Sequence, residues 1–138
     1  MTTADRAQLV ADLERDEGCE LFPYTDTVGK LTVGIGRNLT DRGISLEEAH
    51  YLLQRDIDLV VADLDRALPW WREMTPARQR VLANMCFNMG LPVLLGFRNT
   101  LAYMARGNYK AAAAGMRASK WARQVGARAE RLARLMEG

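Results

Sequence analysis

Histidine occurs once in this chain, cysteine twice and serine twice, and each shortage closes a route to chemistry. The single histidine, His50, has no second histidine or paired cysteine at metal-ligand spacing, so no metal site is expected. It reads as a surface or half-buried side chain. Neither Ser45 nor Ser119 sits in a nucleophile elbow. Cys19 and Cys86 stand far apart with no ligand-like neighbours, and they read as two free, partly buried thiols rather than one disulfide. No run of 18 apolar residues exists, and the charged opening MTTADRAQLVADLERDEG lacks the apolar stretch of a secretory signal. The expectation is therefore a chain with no stable membrane anchoring, and one that needs help to leave the cytoplasm. Gly34-x-Gly36 lacks the third glycine and the following helix of a dinucleotide loop, so no cofactor is expected.

What the chain does have is an ordinary globular composition, 49% hydrophobic and 26% charged, over a length that suits one domain, 1–138. The net charge of +2 hides an asymmetry. Residues 1–96 hold 10 Lys/Arg against 15 Asp/Glu, a balance of −5, whereas residues 97–138 hold 9 against 2, a balance of +7. A basic segment of this kind faces a polyanion or forms a solvated helical face. Nothing in it resembles a nucleic-acid-binding motif or an aromatic stacking platform, so nucleic acid is not an expected partner.

The periodicities give an α+β chain. Residues 5–17 read as a helix with Asp5 as N-cap, a stripe of Leu9, Val10 and Leu13, and Gly18 as the stop. Residues 21–37 carry β-branched residues and glycines at 29, 34 and 36, which predicts a hairpin or small meander with Asp26 at a turn. Ser45-x-x-Glu48 is a capping box, and Ala49, Leu53, Ile57, Val60, Leu64 and Leu68 then recur every three or four residues. A helix over about 45–68 would be roughly 35 Å long, long enough to link two lobes. Thr75-Pro76 opens another helix running to Gly90, and shorter ones follow near 98–106, 108–118 and 127–137. The expected architecture is a β lobe at about 18–44, the linking helix, and a helical lobe over about 75–138 that also takes in helix 5–17.

With metal, serine and nucleotide chemistry set aside, carboxylates remain. Glu17 closes a helix, whose C-terminal partial negative charge favours the protonated form, as a general acid requires. Asp26 enters a polar turn between Thr25 and Thr27, where a carboxylate stays solvated. Two carboxyls in contrasting surroundings give the acid and base of glycoside hydrolysis, although such pairs are common and this one alone decides little.

The longer strings decide more. Asp16-Glu17-Gly18 is followed by Tyr24-Thr25-Asp26-Thr27-x-Gly29-x-x-Thr32-x-Gly34-x-Gly36. Later come Asn84-Met85-Cys86-Phe87-Asn88-Met89-Gly90 and Gly96-Phe97-x-Asn99-Thr100-Leu101, then Ser119-Lys120-Trp121 and Arg128-x-x-x-x-x-Arg134. These blocks, in this order over residues 16–134, resemble the phage-type lysozymes, the family that includes the lysozyme of T-even phages. The stretch 41–78 matches only as an amphipathic helix.

The resemblance implies a lysozyme-like fold and a muramidase that cuts the β-1,4 bond between N-acetylmuramic acid and N-acetylglucosamine in peptidoglycan. It makes Glu17 the acid, and gives Asp26 with Thr32 the attacking water. It places Asn38, Phe87, Asn88 and Thr100 at the sugar, and pairs Arg128 with Glu17 and Arg131 with Asp16. It also implies a monomer, without cofactor, made in the host cytoplasm and released to the wall by a holin. Two departures stand out. Arg37 occupies a place where the family often has a histidine, so an imidazole–carboxylate pair is either lost or replaced by a guanidinium pair. Asn38 replaces an apolar residue. The rival readings are a lytic transglycosylase, which has no use for a water held by Asp26 and Thr32, and a noncatalytic wall-binding module, which has no use for the acid.

Overall fold

A computed structural model describes residues 1–138. The chain divides into two compact units, Met1–His50 and Tyr51–Gly138. With 72% of its residues helical and one three-stranded antiparallel sheet, the fold is α+β.

In the first unit, helix α1 spans Thr3–Glu17. Its N-cap is Thr2, not Asp5. The Thr2 hydroxyl accepts the Asp5 N–H at 3.1 Å, and the Asp5 carboxylate accepts the Thr2 N–H at 3.1 Å, so the aspartate completes a capping box from within the first turn. The N-terminal partial charge suits an acid there, which is why the helix starts earlier than expected. No residue of α1 is buried, and Leu9, Val10 and Leu13 are all exposed. Gly18, at φ +71, ends the helix and returns its N–H to Glu14 O at 3.0 Å.

The expected meander follows as β1 (Glu20–Thr25), β2 (Leu31–Gly34) and β3 (Arg37–Asn38), in that order across the sheet. Tyr24 pairs with Thr32, Thr32 with Asn38, and Val33 with Arg37, with an irregularity in β1 between Glu20 and Tyr24. Thr32, in the middle strand, is the one buried residue of this unit. A four-residue helix, α2 (Leu39–Arg42), comes next. The long helix α3 spans Leu46–Ala67, and the boundary between the units falls within it. Its capping box forms as read: Glu48 N–H to Ser45 Oγ at 3.0 Å, and Ser45 N–H to Glu48 Oε1 at 2.8 Å.

The second unit holds the hydrophobic core. Of the α3 stripe, Val60, Leu64 and Leu68 are buried whereas Leu53 and Ile57 are exposed. Pro69 ends regular α-helix by starting a 3₁₀ turn, Pro69–Glu73, which buries Trp71 and sends its indole N–H to Asp65 Oδ1 at 2.8 Å. Helix α4 (Pro76–Met89) starts on the Thr75 cap and supplies Val81, Leu82, Met85 and Cys86 to the core. The five helices after it are α5 (Leu91–Leu95), α6 (Arg98–Ala105), α7 (Tyr109–Ala118), α8 (Lys120–Val125) and α9 (Ala127–Glu137). Arg78 ties three of these helices together. Its Nε donates to Met136 O at 2.7 Å, and its guanidinium lies 3.8 Å over the Tyr109 ring.

Candidate active site

The acidic pair was placed by sequence at a helix end and a turn, and both positions hold. Glu17 is the last residue of α1 and is exposed. Its carboxyl lies against Gly36, in the tight turn between β2 and β3, so the end of the helix and the far end of the sheet meet at this side chain. Neighbouring Asp16 pairs with Arg15 at 3.2 Å on the exposed helix surface.

Asp26 organises the β1–β2 turn. Its Oδ1 accepts the Val28 N–H at 3.0 Å and the Lys30 N–H at 2.8 Å. Such a carboxylate replaces a backbone carbonyl in shaping the turn, which Gly29 completes at φ +85. Both bonds fall on Oδ1, which leaves Oδ2 for a guest. Lys30 is also the link to Thr32: its carbonyl accepts the Asp26 N–H at 2.8 Å and the Thr32 hydroxyl at 3.0 Å. The two side chains to which the resemblance gives one water are thus joined through a single residue. The Thr32 hydroxyl donates its proton to backbone and keeps oxygen lone pairs for an incoming O–H. Sequence reasoning missed Lys30, because its part is played by main-chain atoms common to every residue.

Arg37 has a carboxylate partner after all. Its guanidinium forms a fork on Glu48, at 2.8 and 2.7 Å, and reaches Gly43 O at 3.2 Å. This pair, with help from the Ser45 N–H, holds the Glu48 carboxyl down to about 2. The guanidinium pair left open by the sequence is therefore present, and it fastens β3 to the start of α3. Asn38 is committed locally. It caps α2 by accepting the Asp41 N–H at 2.9 Å and gives its amide to the Asp41 carboxylate at 2.9 Å.

The remaining sequence-derived residues lie in the second unit. Phe87 is exposed and lines a mainly apolar groove of about 440 Å³ with Leu53, Ile57, Asn84 and Arg128. Arg128 donates from Nε and Nη2 to Asn84 Oδ1, at 3.0 and 2.7 Å, and Arg131 is exposed. Asn88 accepts the Trp121 indole N–H at 2.8 Å. Thr100 is buried and borders a larger pocket, about 860 Å³, with Phe97, Arg98, Lys120 and Trp121 on its wall. Of the two thiols, Cys86 is buried as expected, but Cys19 is exposed, because it stands in the short connection between α1 and β1; both are free. No group of His, Cys, Asp and Glu is arranged to hold a metal ion. No helix is long and apolar enough to cross a membrane.

Fold and site together define an α+β protein whose carboxylates are mounted on a helix end and a β-turn. The model of the phage lysozyme family matches residues 14–136, and the chain belongs to that family. Membership supports lysozyme-like peptidoglycan hydrolysis, a glycoside hydrolase activity, as its class of reaction. Among similar proteins, the pre-baseplate central spike protein Gp5 of Enterobacteria phage T4 is 32% identical over 87% of this chain. The match covers 26% of Gp5, so the chain spans about a quarter of that relative's length. Two probable T4-type lysozymes of Dictyostelium discoideum are 24% and 25% identical, each over 91% of this chain and 91% of its own length.

Proposed function

We propose that this chain is an endolysin-type N-acetylmuramidase that hydrolyses the β-1,4 bond between N-acetylmuramic acid and N-acetylglucosamine. The observation that carries this reading is the joining of Asp26 and Thr32 through Lys30, in the same unit as a Glu17 carboxyl seated on the sheet's last turn. Glu17 gives its proton to the glycosidic oxygen as the bond to the anomeric carbon breaks. Asp26 takes a proton from a water that Thr32 helps to orient, and that water attacks the opposite face. One displacement leaves the product inverted. Two carboxyls on opposite faces of the sugar with a water between them stand roughly 6.5–9.5 Å apart, whereas a nucleophilic Asp26 requires about 5–5.5 Å. Following product anomers by NMR tests this. An α anomer formed first supports the reading. A retained β anomer, a glycosyl adduct on Asp26, or an anhydro sugar from transglycosylation overturns it.

The supporting residues belong to the same proposal. Phe87, Asn88 and Thr100 in the second unit, and Asn38 in the first, are assigned to the glycan, whereas Arg128, held on Asn84, and Asp16, held by Arg15, already have partners within their own units. Phe87 and Thr100 draw support from the pockets they line. In this reading the enzyme is a monomer, made in the host cytoplasm and brought to the wall by a holin. The likeness to a spike protein favours a second setting, a wall hydrolase carried on the virion. Detecting the chain in purified particles, rather than only in lysates, separates the two.

A further inference from the structure

We infer that Gly36 is a positioning residue for Glu17: the missing side chain at position 36 is the seat that fixes where the acid's proton is delivered. The inference rests on the reading of Glu17 as the general acid. A Cβ on Gly36 would stand 2.9 Å from Glu17 Oε2 and 3.0 Å from both Cδ and Cγ. Carbon atoms do not approach that closely without something moving. The carboxyl therefore lies on bare backbone, and no other residue type offers it that surface.

The backbone on both sides of this contact is held. Glu17 is the last turn of a helix closed by the Gly18 N–H on Glu14 O. Gly36 sits in a turn pinned on one side by the Val33–Arg37 pairing and on the other by the Arg37 fork on Glu48. The seat is rigid, and the side chain resting on it is the movable partner. A methyl group at 36 is accommodated by swinging the carboxyl away, so the damage falls on turnover more than on folding.

Gly34, at the end of β2 two residues earlier, provides a built-in control. Its φ is +67, beside +68 for Gly36, so alanine is strained in the backbone at either position. At Gly34, however, an added Cβ meets nothing within 4 Å. Gly34→Ala and Gly36→Ala are expected to shift the thermal midpoint alike. Only Gly36→Ala should lose kcat, by on the order of 10²-fold, as a displacement of about 1 Å from reacting geometry does, with KM little changed. An activity-independent readout accompanies this. In protein carrying ¹³C-labelled glutamate, the Glu17 carboxyl resonance, assigned by its loss in Glu17→Gln, should move in Gly36→Ala and stay in Gly34→Ala. A Gly36→Ala enzyme whose kcat matches Gly34→Ala, or whose Glu17 resonance does not move, overturns the inference. If Gly36→Ala alone does not fold, folding regained in Glu17→Ala/Gly36→Ala supports it, and folding still lost overturns it. Failure of the underlying reading shows differently, as a Glu17→Gln protein that clears cell walls at the wild-type rate.

Discussion

The two units are built on opposite terms. The second buries an extensive apolar core that runs from Val60 to Met136, with Leu64, Leu82, Met85 and Met116 fully enclosed. The first buries a single side chain, and that one is a threonine. It is held instead by caps, an aspartate-shaped turn, a guanidinium fork and glycines at positive φ. Apolar burial is roughly additive and forgiving of direction, while hydrogen bonds fix distances and angles. The carboxylates proposed for catalysis stand in the unit that is organised by direction, and the unit organised by burial supplies most of the stability.

That contrast is open to attack, and the sharpest test is Glu17→Gln. Loss of the proton donor should lower clearing of cell walls by about 10²–10⁴-fold, with an unchanged midpoint of thermal unfolding. A drop in midpoint that accounts for the lost activity would erase the division of labour. Leu82→Ala, deep in the other unit, is the mirror experiment. It should cost about 2–5 kcal/mol in urea unfolding while the folded fraction keeps its kcat, and a large loss of kcat with the fold intact would count against the contrast.

A smaller effect concerns charge. Within the basic stretch from residue 97, Arg117 and Arg134 are already answered by Glu130 and Glu137. Others of the stretch, such as Arg98, Lys120 and Arg123, remain for an anionic wall, screened over a Debye length of roughly 8–10 Å. Activity on whole walls should fall with added salt, whereas hydrolysis of short uncharged oligomers should hardly change. Equal salt sensitivity on both substrates would leave the asymmetry a solvated surface.

The smallest effect is expected at Arg37→Met, because exposed ion pairs contribute little. Glu48 sits below its ordinary 4.5, at about 2, so its pairing stabilises the folded state above roughly pH 4.5 and is lost as the pH falls toward 2. The difference in thermal midpoint between wild type and variant should therefore shrink between pH 5 and 2. A constant difference would show that Glu48 is not the partner that matters.

Much of this was legible in the residue order, for reasons that particular elements make plain. Helices α3 and α4 repeat their apolar residues often enough to declare a period, and Ser45 and Thr75 mark their starts. Helices α2, α5 and α8, of 4, 5 and 6 residues, are too short to show one. Asp26 was readable because an aspartate beside threonines, followed by a glycine, has few other uses. Glu48 was readable as a helix cap but not as the partner of Arg37, since nothing local connects a strand to the next helix. The seat of Glu17 on Gly36 was hidden most completely, because a glycine's use there lies in what it leaves vacant for a residue in another element.

One further consequence lies in the two thiols. Cys19 is exposed two positions beyond Glu17, while Cys86 is buried in α4, where burial pushes its thiol up. In the native protein a maleimide dye should enter at Cys19 alone, which gives a fluorescent reporter beside the proposed acid without any substitution. Modification of Cys86 then waits for the core to open, so the wild-type chain carries a reporter in the first unit and a chemical clock for the second.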